Sequence, residues 1–160
     1  MMFVFSLKPI YDKYSYLSVS NNAIGQGKNK LFINKTSENY SRLFITSQII
    51  SHEYYPSIPS EIYCPDANGF INADMIANNR GNRDTFLDSN VAPKDAPKYY
   101  IMLTGFNTCF VFTNPNQSID YLNDVQNNYL LTATTDGNII YSSSNSLWPN
   151  EKLWLIEFYE

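Results

Sequence analysis

Apolar and polar residues alternate along this chain in short stretches that stop at clusters of Gly, Pro, Asn, Asp and Ser. The runs "MFVFSL", "YSYLSV", "KLFIN", "SRLFIT", "EIYC", "YYIML", "CFVFTN", "YLLTAT", "NIIYS" and "LWLIEF" are rich in Tyr, Phe, Ile, Val and Thr. Such side chains pack well on a pleated, half-buried surface, and a period of two puts every second one on the same face. A 3.6-residue period is kept nowhere over about twelve residues. The pattern therefore predicts an all-β chain with at least ten strands and no helix longer than about three turns.

A repeat can be read on top of the alternation. Phe44 in "RLFIT", Tyr99 in "KYYIML" and Trp154 in "KLWLIEF" stand 55 positions apart, each opening an alternating strand. Upstream lie "YLSVSNNAIGQG", "IYCPDANGFINA" and "YLLTATTDGNII", each an apolar pair, a polar turn with Gly, then an Ile. Three such units resemble the β-trefoil superfamily of ricin-B-type lectins, fascin and several protease inhibitors. The resemblance implies one β-trefoil domain over residues 1–160, with three four-stranded repeats at about 1–48, 49–104 and 105–160. One four-stranded unit cannot bury its apolar face alone, whereas several around an axis close a barrel and leave no long edge. The middle unit departs from the pattern: Asn72 to Pro97 reads as a long polar loop with one weak strand, "TFLD". A loop of that length inside a domain is a candidate site.

Composition narrows the function classes. Hydrophobic residues make up 44% of 160 and charged residues only 16%, below the usual quarter, so the polar surface is supplied by amides and hydroxyls. The net charge is −4 and no basic stripe is present, which argues against nucleic acid as a partner. "MMFVFSLKP" lacks a basic leader and a small-residue cleavage site, and so reads as a strand rather than a signal peptide. The longest uncharged run, Tyr99 to Ile119, is broken by Gly105, Asn107, Asn114 and Pro115 and does not suit a membrane span. The expectation is a soluble chain of unknown compartment, compatible with release by a non-classical route.

The residues that carry chemistry are few. His52 is the sole histidine and sits in "ISHEYYP" without a nucleophile motif beside it. Cys64 and Cys109 lack metal-ligand spacing and stand either as buried thiols or as a disulfide. "CPDANGFINAD" places Asp66, Asn68, Asn72 and Asp74 at alternating positions, yet an EF-hand needs its Gly and Glu at other offsets. The segment reads instead as an Asx-rich hairpin turn with Gly69 at positive φ. No phosphate-binding glycine motif occurs, and neither a cofactor nor a metal is expected.

Binding is the better-supported class. Trp148 lies in "SSSNSLWPN" outside the alternation of the next strand, beside Asn145 and Asn150. An aromatic face among amides and hydroxyls suits a sugar, although a Trp closing a hairpin cap is as natural a reading. In the ricin-B group an Asp follows the first strand and a "QxW" motif closes the unit. Asp66 in "YCPD", next to Asn68, approximates the first, and the Gln is absent from all three closing strands. The sequence thus points to a non-enzymatic binding domain recognising a glycan or glycoprotein, lectin-like or toxin-associated. The alternative is a protein-binding domain, either a subunit of a larger assembly or homo-oligomer, or a protease inhibitor presenting Arg80 or Arg83.

Overall fold

Alternation in the sequence becomes a wall with a dry inner face and a mixed outer one. The structure is a computed structural model, and it describes residues 2–35, 42–51, 59–74, 76–78, 81–113, 129–143 and 149–159. Its strands are β1 (Phe3–Pro9), β2 (Tyr16–Gly25), β3 (Lys28–Asn34), β4 (Phe44–Thr46), β5 (Ile50–Ser51), β6 (Tyr63–Cys64) and β7 (Gly69–Ala73). They continue with β8 (Arg83–Asp88), β9 (Tyr100–Leu103), β10 (Thr108–Thr113), β11 (Tyr129–Ala133), β12 (Ile139–Ser143) and β13 (Leu153–Tyr159). A 3-10 turn at Pro149–Glu151 precedes the last strand. The chain is all-β, as the alternation predicts.

Hydrogen bonding runs β11–β12–β8–β7–β6–β4–β1–β13–β10, and β10 pairs with β11 to close the circuit. The result is a closed antiparallel barrel of nine strands. Four strands lie off the ring: β9 on β10, β5 parallel on β9, β3 on β8, and β2 on β3. Closure leaves the nine ring strands without a free edge between them.

This architecture corrects the three-repeat β-trefoil, and with it the trefoil-lectin reading. Strand β8 bonds to β7, to β12 and to β3, so strands expected to stand apart as repeat hairpins are instead members of one continuous wall. A regular spacing of aromatic residues sets which side chains reach the same depth, but it does not determine which strands pair.

Core placement of the three aromatic residues does hold: Phe44, Tyr99 and Trp154 are 0, 1 and 0% exposed. Their polar atoms are satisfied inside, with Trp154 Nε1 donating to Leu131 O at 2.9 Å and the Tyr99 hydroxyl donating to Ile71 O at 3.1 Å. Buried Trp and Tyr need such partners, because an unpaired polar atom there costs about 1–3 kcal/mol. Cys64 and Cys109 are separate, buried thiols, and burial pushes the Cys109 thiol far above its ordinary range. That makes it a small apolar filler rather than a nucleophile.

The segment read as one long loop from Asn72 to Pro97 holds the end of β7 and the whole of β8. "TFLD" lies inside the six-residue β8, which pairs with β7 from Phe70↔Asp88 to Ala73↔Thr85. Short range polarity hid it, because Arg83, Asp84 and Asp88 flank an apolar centre of only three residues. The stretch after β8, residues 89–98, matters for the site.

Candidate functional site

Cross-strand register places one row of side chains along the outside of the barrel. Val4 pairs with Ile45, Ile45 with Tyr63, Tyr63 with Phe70, and Phe70 with Asp88. Residues directly opposite one another share a face, and their neighbours in sequence take the other. Those neighbours, Phe5, Phe44, Cys64, Ile71 and Leu87, are all buried in the core, so the row itself faces outward. The Tyr63 and Phe70 rings lie 5.0 Å apart at 50° and are half-buried.

A loop walls this row on one side. Within residues 89–98, the amides of Asp95 and Ala96 both donate to Ala92 O, at 2.9 and 3.0 Å, and Ala96 is 4% exposed, which anchors the turn. Lys98 fixes it further, with Nζ donating to Pro93 O at 2.6 Å and to Glu61 Oε2 at 2.9 Å. Between the row and the loop lies a groove of about 490 Å³. Its floor is Ile45, Tyr63 and Phe70, its walls are Val91 and Pro93 with Met2, and its polar atoms come from Ser47, Ser60, Glu61, Asn68 and Ser89.

The polar side is held in place before any ligand arrives. Ser47 Oγ and Ser60 Oγ share a hydrogen bond of 2.7 Å, and Ser60 is anchored by reciprocal backbone bonds with Tyr99 at 3.0 and 2.7 Å. Tyr63 donates its hydroxyl to Asn68 Oδ1 across the turn. Burial pushes the Glu61 carboxyl up, but the hydrogen bond and charge of Lys98 outweigh it, leaving the group below its ordinary value. At neutral pH the groove therefore presents a fixed carboxylate beside hydroxyls and two aromatic rings, the kind of lining that orients a small polar ligand.

Of the residues expected from sequence, Asn68 lines this groove, and Asp66 sits exposed in the same turn without reaching it. Asn68, not Gly69, takes the left-handed conformation, at φ 52°. Gly69 is needed for closeness instead: a Cβ there would lie 2.9 Å from Asp88 O. Asp66 and Asp74 do not converge, since the five-residue β7 separates them by about 16 Å. Asn72 spends its amide on Asp88 Oδ2 at 3.1 Å. Asn150 is exposed in the 3-10 turn, while Trp148, Asn145, His52 and Arg80 lie outside the described residues. Arg83 is no protruding inhibitor residue; it is half-buried in β8 with its guanidinium 4.9 Å from the Tyr129 ring centre.

Sequence reasoning missed Glu61, Tyr63, Phe70 and Lys98. The signal was available for two of them. Tyr63 and Phe70 flank a four-residue turn with matching parity about "CPDANG", which forces them onto one face if the segment is a hairpin. Pairing of Lys98 with Glu61 spans 37 positions and has no local mark.

No family model matches the chain, and no curated protein sequence does either. Among the solved structures similar in fold are two salivary proteins from Culex quinquefasciatus described as belonging to the Cysteine and Tryptophan-Rich (CWRC) family. They give TM-scores of 0.65 and 0.64 at 9% identity, each covering 98% of this chain and 93% of the other. At that identity the likeness concerns the fold alone. The present chain, with two Cys and two Trp, does not share the composition for which those proteins are described.

Proposed function

We propose that the protein is a non-enzymatic binding module whose outer groove takes a carbohydrate carried by a glycan or glycoprotein. The observation that supports this most directly is the pair of half-buried rings, Tyr63 and Phe70, forming the floor of a groove whose rim holds Glu61, Ser47, Ser60 and Asn68. A sugar offers C–H groups to an aromatic face and hydroxyls to carboxylate, hydroxyl and amide partners. Glu61, already held by Lys98, serves as a hydrogen-bond acceptor for ligand hydroxyls at no further ordering cost. Among the described residues that line the groove none is cationic, and Lys98 beside it is already paired with Glu61, so neutral glycans suit it better than sulfated or sialylated ones.

A glycan array tests the proposal. Binding of neutral glycans is expected in the wild type and is expected to be lost in Tyr63→Ala and in Glu61→Gln with the fold intact by circular dichroism. Failure of the wild type to bind any glycan would overturn the reading and favour a protein partner.

A further inference from the structure

At one end of the barrel, polar atoms are left over. Arg83 on β8 pairs with Tyr141 on β12, so both side chains share a face. That face is the interior: Tyr141 is 4% exposed and meets Tyr99 edge to face, with ring centres 6.0 Å apart. The Tyr141 hydroxyl and the Arg83 Nε are each buried and have no hydrogen-bond partner among the described residues. Nearby hydroxyl capacity is already committed, since Thr85 on the same face of β8 donates to Ile139 O at 2.6 Å.

Among the described residues the charge is uncompensated as well. No ion pair among them engages Arg83, whose guanidinium carbon lies 4.9 Å from the centre of the Tyr129 ring instead. Burial holds the Tyr141 phenol well above its ordinary range, and the positive charge of Arg83 works against that, so the two groups lie within electrostatic reach. Native proteins rarely leave buried donors unsatisfied, and a half-buried cation without an anion is costly. A water molecule answers the first deficit and leaves the second.

We infer that Arg83 and Tyr141 form a binding site for a small oxyanion, a carboxylate or phosphate group, at the β8–β12 end of the barrel. The guanidinium supplies charge and the Nε–H donor, the Tyr141 O–H supplies a second donor, and the Tyr129 ring lies beside the guanidinium. This site is separate from the outer groove, because Arg83 and Tyr141 face inward while Tyr63 and Phe70 face out.

Titration of the wild-type chain with sodium acetate and, separately, sodium phosphate tests the assignment, with ionic strength held constant by sodium chloride. The Arg83 Nε–H resonance in a ¹⁵N–¹H spectrum is expected to shift and saturate with at least one of the two, which also tells a carboxylate ligand from a phosphate one. Tyr141→Phe removes only the hydroxyl and is expected to weaken that binding at least tenfold while keeping the folded spectrum. An Arg83→Lys variant, retaining charge without the Nε–H, is expected to weaken it too. No saturable shift with either anion, or the same affinity in Tyr141→Phe as in the wild type, would overturn the site and leave a buried water as the occupant.

Discussion

The two faces of β4, β6 and β7 differ by one residue of register and by nearly everything else. Phe44, Cys64 and Ile71 point into a core that is fully closed, whereas Ile45, Tyr63 and Phe70, one position along, are half-buried and line a groove. Inside, Phe44, Cys64 and Ile71 belong to the buried apolar core, so these residues serve stability. Outside, aromatic area is left partly in water on strands made rigid by what lies behind them. A binding surface built on a wall of this kind needs no ordering of its own backbone, which lowers the cost of taking a ligand.

If that contrast is right, the inner face should dominate stability. Trp154→Ala is expected to cost about 3–5 kcal/mol, since it removes the largest fully buried side chain among the described residues and the hydrogen bond it donates to Leu131 O. A thermal melt should fall by about 10 °C or more. A fall of only a degree or two would show that the core is looser than its burial implies. Next in size is Gly69→Ala, expected to cost about 1–3 kcal/mol, because its Cβ would meet the Asp88 backbone at 2.9 and 3.0 Å and Leu87 Cδ2 at 3.0 Å. Unchanged denaturant midpoints for that variant would mean the β7–β8 ladder can shift aside.

Legibility followed the same division between local and distant information. All ten alternating runs are strands, because alternation is local and a period of two has one physical reading. The strand missed outright is β5, with two residues, while β7 shows only as the far side of a hairpin turn and β8 only as the weak run "TFLD" between charged ends. Aromatic residues at 55-residue spacing identified Phe44, Tyr99 and Trp154 as core and yet misled about architecture, since pairing between β8 and β12 joins residues 56 and 58 positions apart that carry no common mark. The groove suffered likewise. Asn68 was visible as a turn residue, but Lys98, Glu61 and the loop over Tyr63 come together only in three dimensions.

On the outer face the expected pattern is reversed: a small change in stability with a large change in binding. Phe70→Ala should cost about 1 kcal/mol, the scale of one lost aromatic pair plus partial burial, and should abolish the glycan binding proposed for the groove. Chemical denaturation and an array measured on the same preparation separate the two quantities. A loss of several kcal/mol would place Phe70 with the core residues and erase the distinction between the faces.

The smallest effect expected is also the most specific, and it concerns the strap between Lys98, Pro93 and Glu61. Lys98→Met removes both hydrogen bonds from Nζ, yet the side chains of Lys98 and Glu61 are 32 and 34% exposed, so solvent screening holds the loss to about 1 kcal/mol or less. Its pH dependence carries the information. Folding lowers the Glu61 carboxyl below its ordinary value, so the ion pair stabilises the protein above the unfolded-state value and that contribution disappears as pH falls through the folded-state one. The gap between wild type and Lys98→Met should accordingly be widest at neutral pH and shrink in acid, leaving only the share due to the Pro93 carbonyl bond, which does not titrate. Glu61→Gln keeps that carbonyl bond and should show the pH-dependent part alone. Paired melts of the three proteins from pH 7 down to the carboxylate range provide the check: a gap that stays constant with pH would assign the strap entirely to Pro93, and the groove would then lose its pre-set carboxylate.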